Sequence, residues 1–571
     1  MKNLLIILIA TCILVPVFSQ LSLDKKGVLN SSAFVGAFTS TPTDRMDATS
    51  QTLTMVEKFH QETCLATIAW LLKHDPVDPK AVSFLLTLSP PGMDIGAKGY
   101  GTTNDPFVIQ TANNKCAAEL PVASGIGIYS NNPFYWQYNN KPVLLLGGSS
   151  APQDLLNDEG MFLWTNVTEA LDKLVMAGGN YARCLMSGRL REEALWPFMR
   201  KGDRYDLDQW NDEYWHLFEI FLEETHKRGI TTDIEIWATF DYARVPWTKN
   251  PFNPVNNINY TAEQTGLPAT VDSHPVQSKN EFYHILPGEK NIQLVLRYQK
   301  LFVDKILSYT LKYNNVLYCM DNETAGSPEW GAYWARYVRE AATKANRKVL
   351  VTEMFDSHDL SNPVYKNIIE YPDLYDFIEI AQNNHQTGQT HYDKIQEVWQ
   401  QIEKFPRPLN NVKIYGVDGS NFGSSKEATE RFWRNIFGGC ASARFHEKHL
   451  GDSELALRMI RSAREVTGAF DLFQSAPHNN LLRDREPNES YCLANPGKEY
   501  AVYFPDGGNV QLDVSDITGK SEVRWYDING GHWTDSRLVH REKSISLAAP
   551  GPGQWVALVR SINPKHHVHR R

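Results

Sequence analysis

The chain has 571 residues, of which 42% are hydrophobic and 22% charged, so its composition excludes a disordered, collagen-like or coiled-coil protein. Its 57 basic and 66 acidic residues give a net charge of −9, which argues against a partner such as nucleic acid or anionic lipid. Aromatic residues are numerous, with 15 Trp, 25 Tyr and 25 Phe, and composition alone does not separate core rings from ligand-stacking rings.

The first 19 residues predict a secretory signal peptide. Lys2 precedes an apolar run from Leu4 to Val17, and the small Ser19 precedes the expected cleavage site. These features are typical of a cleavable leader, and the run is too short for a membrane-spanning helix. Cys12 lies inside the apolar run, so a lipoprotein is the less favoured alternative. We therefore expect a secreted or periplasmic protein.

Residues 20–129 predict an N-terminal extension of unclear fold. The cysteines of the mature chain are widely spaced, so their pairing is open. Cys184 and Cys319 fall in strand-like apolar runs, where buried thiols are expected. A disulfide bond between Cys64 and Cys116 is a weaker hypothesis.

Between residues 130 and 464, short apolar runs alternate with helical patterns. The runs predict buried strands over 142–146, 180–185, 232–237, 316–320, 349–352, 377–380, 412–415 and 441–445. Among the helices, Ser327 and Pro328 indicate an N-terminus, and Gly229 indicates an end. Because parallel strands need long crossovers, eight strand–helix units predict an α/β fold, a (β/α)8 TIM barrel. A doubly wound sheet is the alternative.

Two further segments depart from this alternation. Residues 241–290 are rich in Pro and Asn, and they follow the third predicted strand on the face where barrel active sites form. We interpret them as a wall of a substrate cleft. Residues 465–562 show short alternating strands between Gly, Pro and Asp turns, which predict an antiparallel β-sandwich. The basic tail, 563–571, is interpreted as a solvated end rather than a metal site.

Asn322 and Glu323 end the fourth predicted strand, where a barrel presents side chains to its active site. Glycosidic cleavage needs two carboxyl groups, one as an acid and one as a nucleophile or base. Asp418, after the seventh strand, is the preferred partner of Glu323, and Glu353, after the fifth, is the alternative. The competing interpretations are an exposed loop Glu323 and a turn Asp418.

Other side chains at predicted strand ends form a polar rim for substrate binding. Asn and His suit hydroxyl groups, Arg suits an acidic or sulfated group, and Trp suits a sugar face. The set comprises Trp136, Arg183, Trp237, Asp241, Asn322, Glu353, Asn383, Asn384, His385 and His446. Trp247 is a further ring expected near the mouth, whereas Trp330 and Trp334 share a helix stripe and are expected to pack.

Several other chemistries lack their motifs. His446 and His449 are three residues apart, so H-E-x-x-H is absent, as are a G-x-S-x-G elbow, a P-loop and a G-x-G-x-x-G after a strand. The sequence therefore excludes a metalloprotease, a serine hydrolase and a nucleotide-dependent enzyme. No metal and no cofactor are predicted.

Five segments, FYWQY (134–138), KPVLLLGG (141–148), NPFNP (250–254), MDNET (320–324) and RFWRNIFGG (431–439), resemble apiosidase-like (DUF4038-type) glycoside hydrolase barrels. The stretch around YAVYF (500–504) resembles the collagen-binding β-sandwich domain often appended to them. The resemblance covers about residues 130–560 and implies that Glu323 is the acid/base. Asp418 stands where such barrels usually carry Glu.

The expected function is that of a secreted glycoside hydrolase acting on a plant or algal polysaccharide or its oligosaccharides. Glu323 would protonate the glycosidic oxygen while Asp418 attacks the anomeric carbon. One rival hypothesis is a non-catalytic carbohydrate-binding protein on a barrel scaffold. Another is an adhesin that binds protein partners through residues 465–562 alone. The glycan, the linkage, the stereochemical outcome and the oligomeric state are left open.

Overall fold

The computed structural model describes residues 125–148, 164–186, 195–277, 279–324, 326–417, 423–446 and 453–562, together with two short strands before them. The chain divides into two compact units, Met1–Val122 and Ala123–Arg571. In the first unit the strands Ile95–Gly96 and Gln110–Thr111 pair antiparallel. Five predicted features lie outside the described residues: the signal peptide, Cys12, the Cys64–Cys116 pair, Asp418 and the basic tail.

In the second unit, short parallel strands alternate with helices. Within the described residues they are, from the first to the eighth parallel strand, Leu145–Gly147, Tyr181–Leu185, Thr231–Ala238, Val316–Asn322, Val351–Thr352, Ile378–Glu379, Leu409–Asn410 and Ser442–Arg444. All their residues are buried, as expected of strands covered on both faces.

A helix follows each of these strands. In the same order the helices are Trp164–Met176, Asp212–Lys227, Gln293–Thr310, Pro328–Lys344, Lys366–Ile369, Gly388–Gln401, Ser425–Phe437 and Glu454–Ala469. Two predicted helix signals are confirmed: Ser327 is the N-cap before Pro328, and Gly229, with φ +67°, follows the end of the second helix. The boundary predicted at 464/465 falls inside the last helix.

The parallel strands pair in three groups. The second to fifth strands form one sheet, the sixth pairs with the seventh, and the eighth pairs with the first. Backbone hydrogen bonds join these groups: Asn180 N to Leu146 O at 2.8 Å, Asp376 N to Val351 O at 2.8 Å, and Ala441 N to Leu409 O at 2.8 Å. Each strand is therefore hydrogen-bonded, directly or through a flanking residue, to its neighbour.

The seventh strand lies earlier than predicted. Its ladder covers Leu409–Asn410, and within 412–415 only Ile414 forms a bridge, with Phe445. At this point the N–H of Asn411 donates to the hydroxyl of Ser442, on the eighth strand, at 2.8 Å instead of to a backbone carbonyl. The predicted first strand is also divided, with Lys141–Val143 in an antiparallel hairpin and the parallel strand starting at Leu145.

Between the third strand and its helix, the predicted cleft wall is a packed segment. It contains the helices Arg244–Lys249 and Ala262–Thr265 and the 3₁₀ turns Thr239–Tyr242, Pro275–Gln277 and Glu281–Tyr283. Buried asparagines bond its backbone, as when Asn253 donates to Trp247 O at 3.0 Å and Asn257 donates to Pro251 O at 3.0 Å. The asparagines therefore fix this segment through side-chain-to-backbone hydrogen bonds.

Smaller antiparallel sheets flank the parallel strands. Ile126–Ile128, Trp136–Tyr138 and Lys141–Val143 form one, and Phe198–Lys201 pairs with Arg204–Trp210. The C-terminal region has two antiparallel sheets. The larger comprises Ala476–Pro477, Tyr491–Asn495, Glu499–Phe504, Lys520–Asp527, His532–Trp533, Arg537–His540 and Trp555–Ile562. The smaller comprises Leu482–Arg483, Asn509–Asp513 and Ser544–Ala548.

The central strands of the larger C-terminal sheet are buried on both faces. One face packs on the smaller sheet, through residues such as Val502 and Val559. The other face packs on the helices of the parallel region, and the rings of Tyr503 and Trp433 lie 5.8 Å apart across this contact. The parallel region therefore shares one core with this face of the larger sheet, whereas the two C-terminal sheets enclose a second core between them.

Buried thiols are confirmed at Cys184 and Cys319, and within the described residues Cys440 and Cys492 are buried thiols as well. No helix in the described part of the chain is long and apolar enough to cross a membrane.

Candidate active site

Glu323 directly follows the fourth parallel strand, which ends at Asn322. Its backbone has φ +58°, in the left-handed region that residues with a side chain seldom occupy. The next residue, Thr324, forms a parallel bridge with Phe355, and its N–H donates to Met354 O at 2.7 Å. Glu323 is therefore fixed between paired segments, and backbone strain of this kind is typical of functional sites.

A buried lysine holds the Glu323 carboxylate. Lys413 Nζ lies 2.5 Å from Glu323 Oε1 and donates also to Asn322 Oδ1; its side chain is 2% exposed, against 12% for Glu323. Arg183 donates to the same Asn322 oxygen at 3.0 Å and forms a two-point ion pair with Glu235. Because an adjacent cation favours the charged form of a carboxyl group, the Lys413 contact favours ionised Glu323.

A second carboxyl group close to Glu323 has a different environment. Asp356 follows Phe355 and is half-buried. Burial, followed by the charge of Glu323, raises the pKa of Asp356 to about 7, while Lys413 acts in the opposite direction. Asp356 therefore retains its proton in a large fraction of molecules at neutral pH. The two carboxyl groups differ in charge, which is the arrangement that acid–base chemistry requires.

Four aromatic side chains after the fifth to eighth strands form what we call the His/Tyr wall: His358, His385, Tyr415 and His446. The rings of His358 and His385 stack with centroids 3.5 Å apart and planes at 7°. Tyr415 lies 5.8 Å from His385 and 4.6 Å from His446. Burial lowers the pKa of both stacked histidines, that of His385 to about 4, while the charge of Glu323 acts in the opposite direction on both.

The predicted tryptophans lie elsewhere. Trp136, Trp237 and Trp247 are each 0% exposed, and Trp136 Nε1 donates to Asn410 at 2.8 Å while Trp247 Nε1 donates to Pro268 O at 2.7 Å. No ring face is left for a sugar, which corrects the expectation that these residues stack on substrate. Trp330 and Trp334 are buried in the helix stripe as predicted.

Most polar residues of the predicted rim are also buried, among them Asn383, Asn384 and Asp241. Asn383 donates to His391 O at 2.9 Å, Asn384 donates to Asn411, and the carbonyl of Asp241 accepts from Asn250 at 3.1 Å. These side chains and carbonyls brace the turns after the third and sixth strands. The rim that remains accessible consists of His385 and His446.

Glu353 packs against a neighbouring helix. It is 1% exposed, and a methyl group built on Gly331 of the helix Pro328–Lys344 would lie 1.8 Å from its Oε2. Within the described part of the chain neither carboxylate oxygen has a hydrogen-bond partner, and burial raises the pKa of Glu353 well above its usual range. The side chain is therefore packed against a helix in a place where burial favours its neutral form, which argues against a catalytic or substrate-binding role.

The structure thus assembles Asn322, Glu323, Arg183, His385 and His446 at one end of the strands. Five neighbours were missed by sequence reasoning: Glu235, Asp356, His358, Lys413 and Tyr415. Across the described ranges, no group of three or more His, Cys, Asp or Glu side chains is arranged to hold a metal ion.

Comparison with known proteins gives one family match. Residues 476–559 match a family described as "Putative collagen-binding domain of a collagenase". This segment contains most of the C-terminal sheets. No curated protein matches the sequence.

Solved structures share the fold of the chain. A glycoside hydrolase family 5 protein from Bacteroides vulgatus ATCC 8482 aligns with a TM-score of 0.52 at 12% identity, over 78% of this chain and 94% of that one. A second structure, described as a glycoside hydrolase, aligns with a TM-score of 0.53 at 11% identity, over 78% of this chain and 98% of that one. At such identities the likeness establishes a common fold.

Proposed function

We propose that this chain is an exported glycoside hydrolase that uses Glu323 and Asp356 as its two carboxyl groups. The observation that carries the proposal is their arrangement at adjacent strand ends, where Lys413 favours a charged Glu323 and burial favours a protonated Asp356. Hydrolysis of a glycosidic bond needs one carboxyl group of each kind. The shared fold with glycoside hydrolases supports the same conclusion.

We infer that the eight parallel strands close into a (β/α)8 barrel. The hydrogen bonds between the three groups of strands, together with the pairing of the eighth strand with the first, support closure. In such barrels the carboxyl ends of the strands carry the active site, which agrees with the positions of Glu323 and Asp356.

In the proposed reaction, Asp356 gives its proton to the glycosidic oxygen as the bond from that oxygen to the anomeric carbon breaks. Glu323 acts on the opposite side, either attacking the anomeric carbon or taking a proton from the attacking water. From the sequence, Glu323 is expected to be the proton donor. The proposed reaction gives that role to Asp356, because an ion-paired carboxylate is a poor proton donor. The proposed substrate remains a plant or algal polysaccharide or its oligosaccharides, reached after export by the signal peptide at 1–19.

The test of function is a product analysis with the full mature chain. Neutral and anionic plant and algal polysaccharides are incubated with the protein, and released sugars are identified by chromatography and mass spectrometry. New reducing ends from at least one polysaccharide support the proposal. Binding without any release of sugar would favour the non-catalytic alternative.

Replacing Asp356 with Ala is expected to lower the rate on the polysaccharide by about 10²–10⁴-fold, the range typical of general acid catalysis. An aryl glycoside with an acidic phenol needs no proton on its leaving group, so its rate of bond cleavage should fall much less. In the unmodified enzyme, activity should decline as pH rises through about 7, where Asp356 loses its proton. Equal losses on both substrates would contradict the assignment of Asp356 as the acid.

Replacing Lys413 with Met is expected to move the pH–activity profile to higher pH by about one unit, because removing a nearby cation raises the pKa of a carboxyl group. Both Glu323, its contact partner, and Asp356 lose the same positive charge. The measurement is kcat/KM between about pH 4 and 9, a range of roughly five pH units that covers the titration of the carboxyl groups. Lys413→Arg retains the charge and serves as the matched control; a profile that stays in place in Lys413→Met would refute this role.

A further inference from the structure

The His/Tyr wall brings four partly exposed rings together at the strand ends, and two of them lie near Glu323. They follow four successive strands, and their ring contacts run without a break from His358 to His446. The charge of Glu323 acts on both stacked histidines, so the carboxylate lies close to this side of the site. None of these four residues takes part in the proposed bond cleavage, so their continuous arrangement indicates a separate role.

The chemistry of these rings suits a sugar. Histidine and tyrosine each combine an apolar body with a polar tip, so one side chain can pack on the C–H face of a pyranose and hydrogen-bond its hydroxyl groups. A neutral imidazole offers one donor and one acceptor, as a hydroxyl group does. His385 stays neutral above about pH 4, because burial and, to a smaller extent, the neighbouring His358 lower its pKa.

The cations near Glu323 already have partners. Lys413 is bound to Glu323, and Arg183 is bound to Glu235. Arg431, close to His385, is buried and donates to Gln386 O at 2.9 Å. An acidic or sulfated sugar would thus meet the charge of Glu323 without gaining a new ion pair from these three groups. This differs from the sequence-based suggestion that Arg183 suits an acidic sugar.

From these observations we propose that the His/Tyr wall is the sugar-binding face of the active site and that it selects an uncharged sugar residue next to the scissile bond. The inference rests on the proposed function, because it takes the two carboxyl groups as the reacting centre. It goes further by naming the class of substrate and the residues that recognise it.

The experiment measures binding in a chain that does not cleave. Glu323→Gln is titrated by calorimetry with neutral oligosaccharides (cello-, xylo-, manno-, laminari- and galacto-hexaoses) and with anionic ones (oligogalacturonate, oligoalginate and sulfated carrageenan oligosaccharides). Binding of at least one neutral member is expected, together with at least tenfold weaker binding when His385→Ala is added. His358→Ala, at an exposed position, provides a second variant that leaves the fold intact.

The control is His216→Ala, which removes an exposed histidine from the helix Asp212–Lys227 and should leave binding unchanged. The inference is overturned if only anionic members bind, if no member binds, or if both wall variants bind the neutral sugar as tightly as their parent. A neutral sugar that binds through the wall but is not cleaved by the unmodified chain would refute the hydrolase proposal and leave the wall in place.

Discussion

Replacing Glu323 with Gln is expected to abolish hydrolysis of the natural glycan, with a rate loss of about 10³-fold or more, since an amide can neither attack the anomeric carbon nor accept a proton from water. The change keeps the size of the side chain and its position after the fourth strand. It removes the negative charge that Lys413 contacts. Because the ammonium is buried, we also expect the free energy of unfolding to fall by up to about 3 kcal/mol.

The measurement compares turnover of the natural glycan with the midpoint of denaturant unfolding. Glu329→Gln, the same substitution at an exposed position in the first turn of the helix Pro328–Lys344, is the matched control and should change neither quantity. Unlike Asp356→Ala, the Glu323 variant should also be inactive on aryl glycosides. A folded Glu323→Gln variant with undiminished turnover would remove Glu323 from the mechanism.

Local sequence signals predicted the elements of the fold. The alternation of buried runs and amphipathic helices marked the parallel region, because each helix must bury an apolar stripe on the strands. Single residues marked helix ends, as Gly229 and Ser327 illustrate. The signal failed at the seventh strand, where the Ser442 hydroxyl replaces a ladder carbonyl as partner of the Asn411 N–H. Such a substitution depends on a strand 31 residues away, which no local pattern contains.

The site could be predicted only in part for a similar reason. Glu323 was identified because it directly follows a strand, whereas its contact with Lys413 joins residues 90 positions apart. The sequence does contain one signal of this ionic contact. Glu235 and Lys413 stand inside apolar runs, and a buried charge requires a partner of opposite charge, so these two residues already indicated a buried ionic network.

The aromatic content of the sequence did not predict which rings lie at the site. Burial of Trp136 and Trp237 follows from packing around the strands, and nothing in their neighbouring sequence distinguishes a core ring from a sugar-binding ring. The accessible rings at the site are instead three histidines and one tyrosine. Their position directly after a strand indicates a site residue more reliably than the size of the ring does.

Replacing Trp433 with Ala is expected to lower the free energy of unfolding by about 3–5 kcal/mol, the range for removing a buried Phe or Trp. Trp433 lies on the helix Ser425–Phe437 and is 0% exposed, with Tyr503 of the larger C-terminal sheet 5.8 Å away. Because this contact belongs to the core that the parallel region shares with one face of the larger sheet, we expect the parallel region and the C-terminal sheets to unfold in a single transition.

Denaturant unfolding followed by tryptophan fluorescence and by far-UV circular dichroism tests both statements. Phe405→Ala, at a ring that is 63% exposed, is the control and should change stability by less than about 0.5 kcal/mol. Two separate transitions would contradict the shared core.

The same core bears on the adhesin hypothesis. If residues 465–562 acted alone, the sheet face around Tyr503 would be exposed to water, and contiguous apolar patches of that kind promote association. We therefore expect this segment, produced by itself, to aggregate or stay unfolded while the full mature chain remains soluble. A folded, monomeric segment would show that the C-terminal sheets are an independent module. The contact with Trp433 would then not be required for their stability.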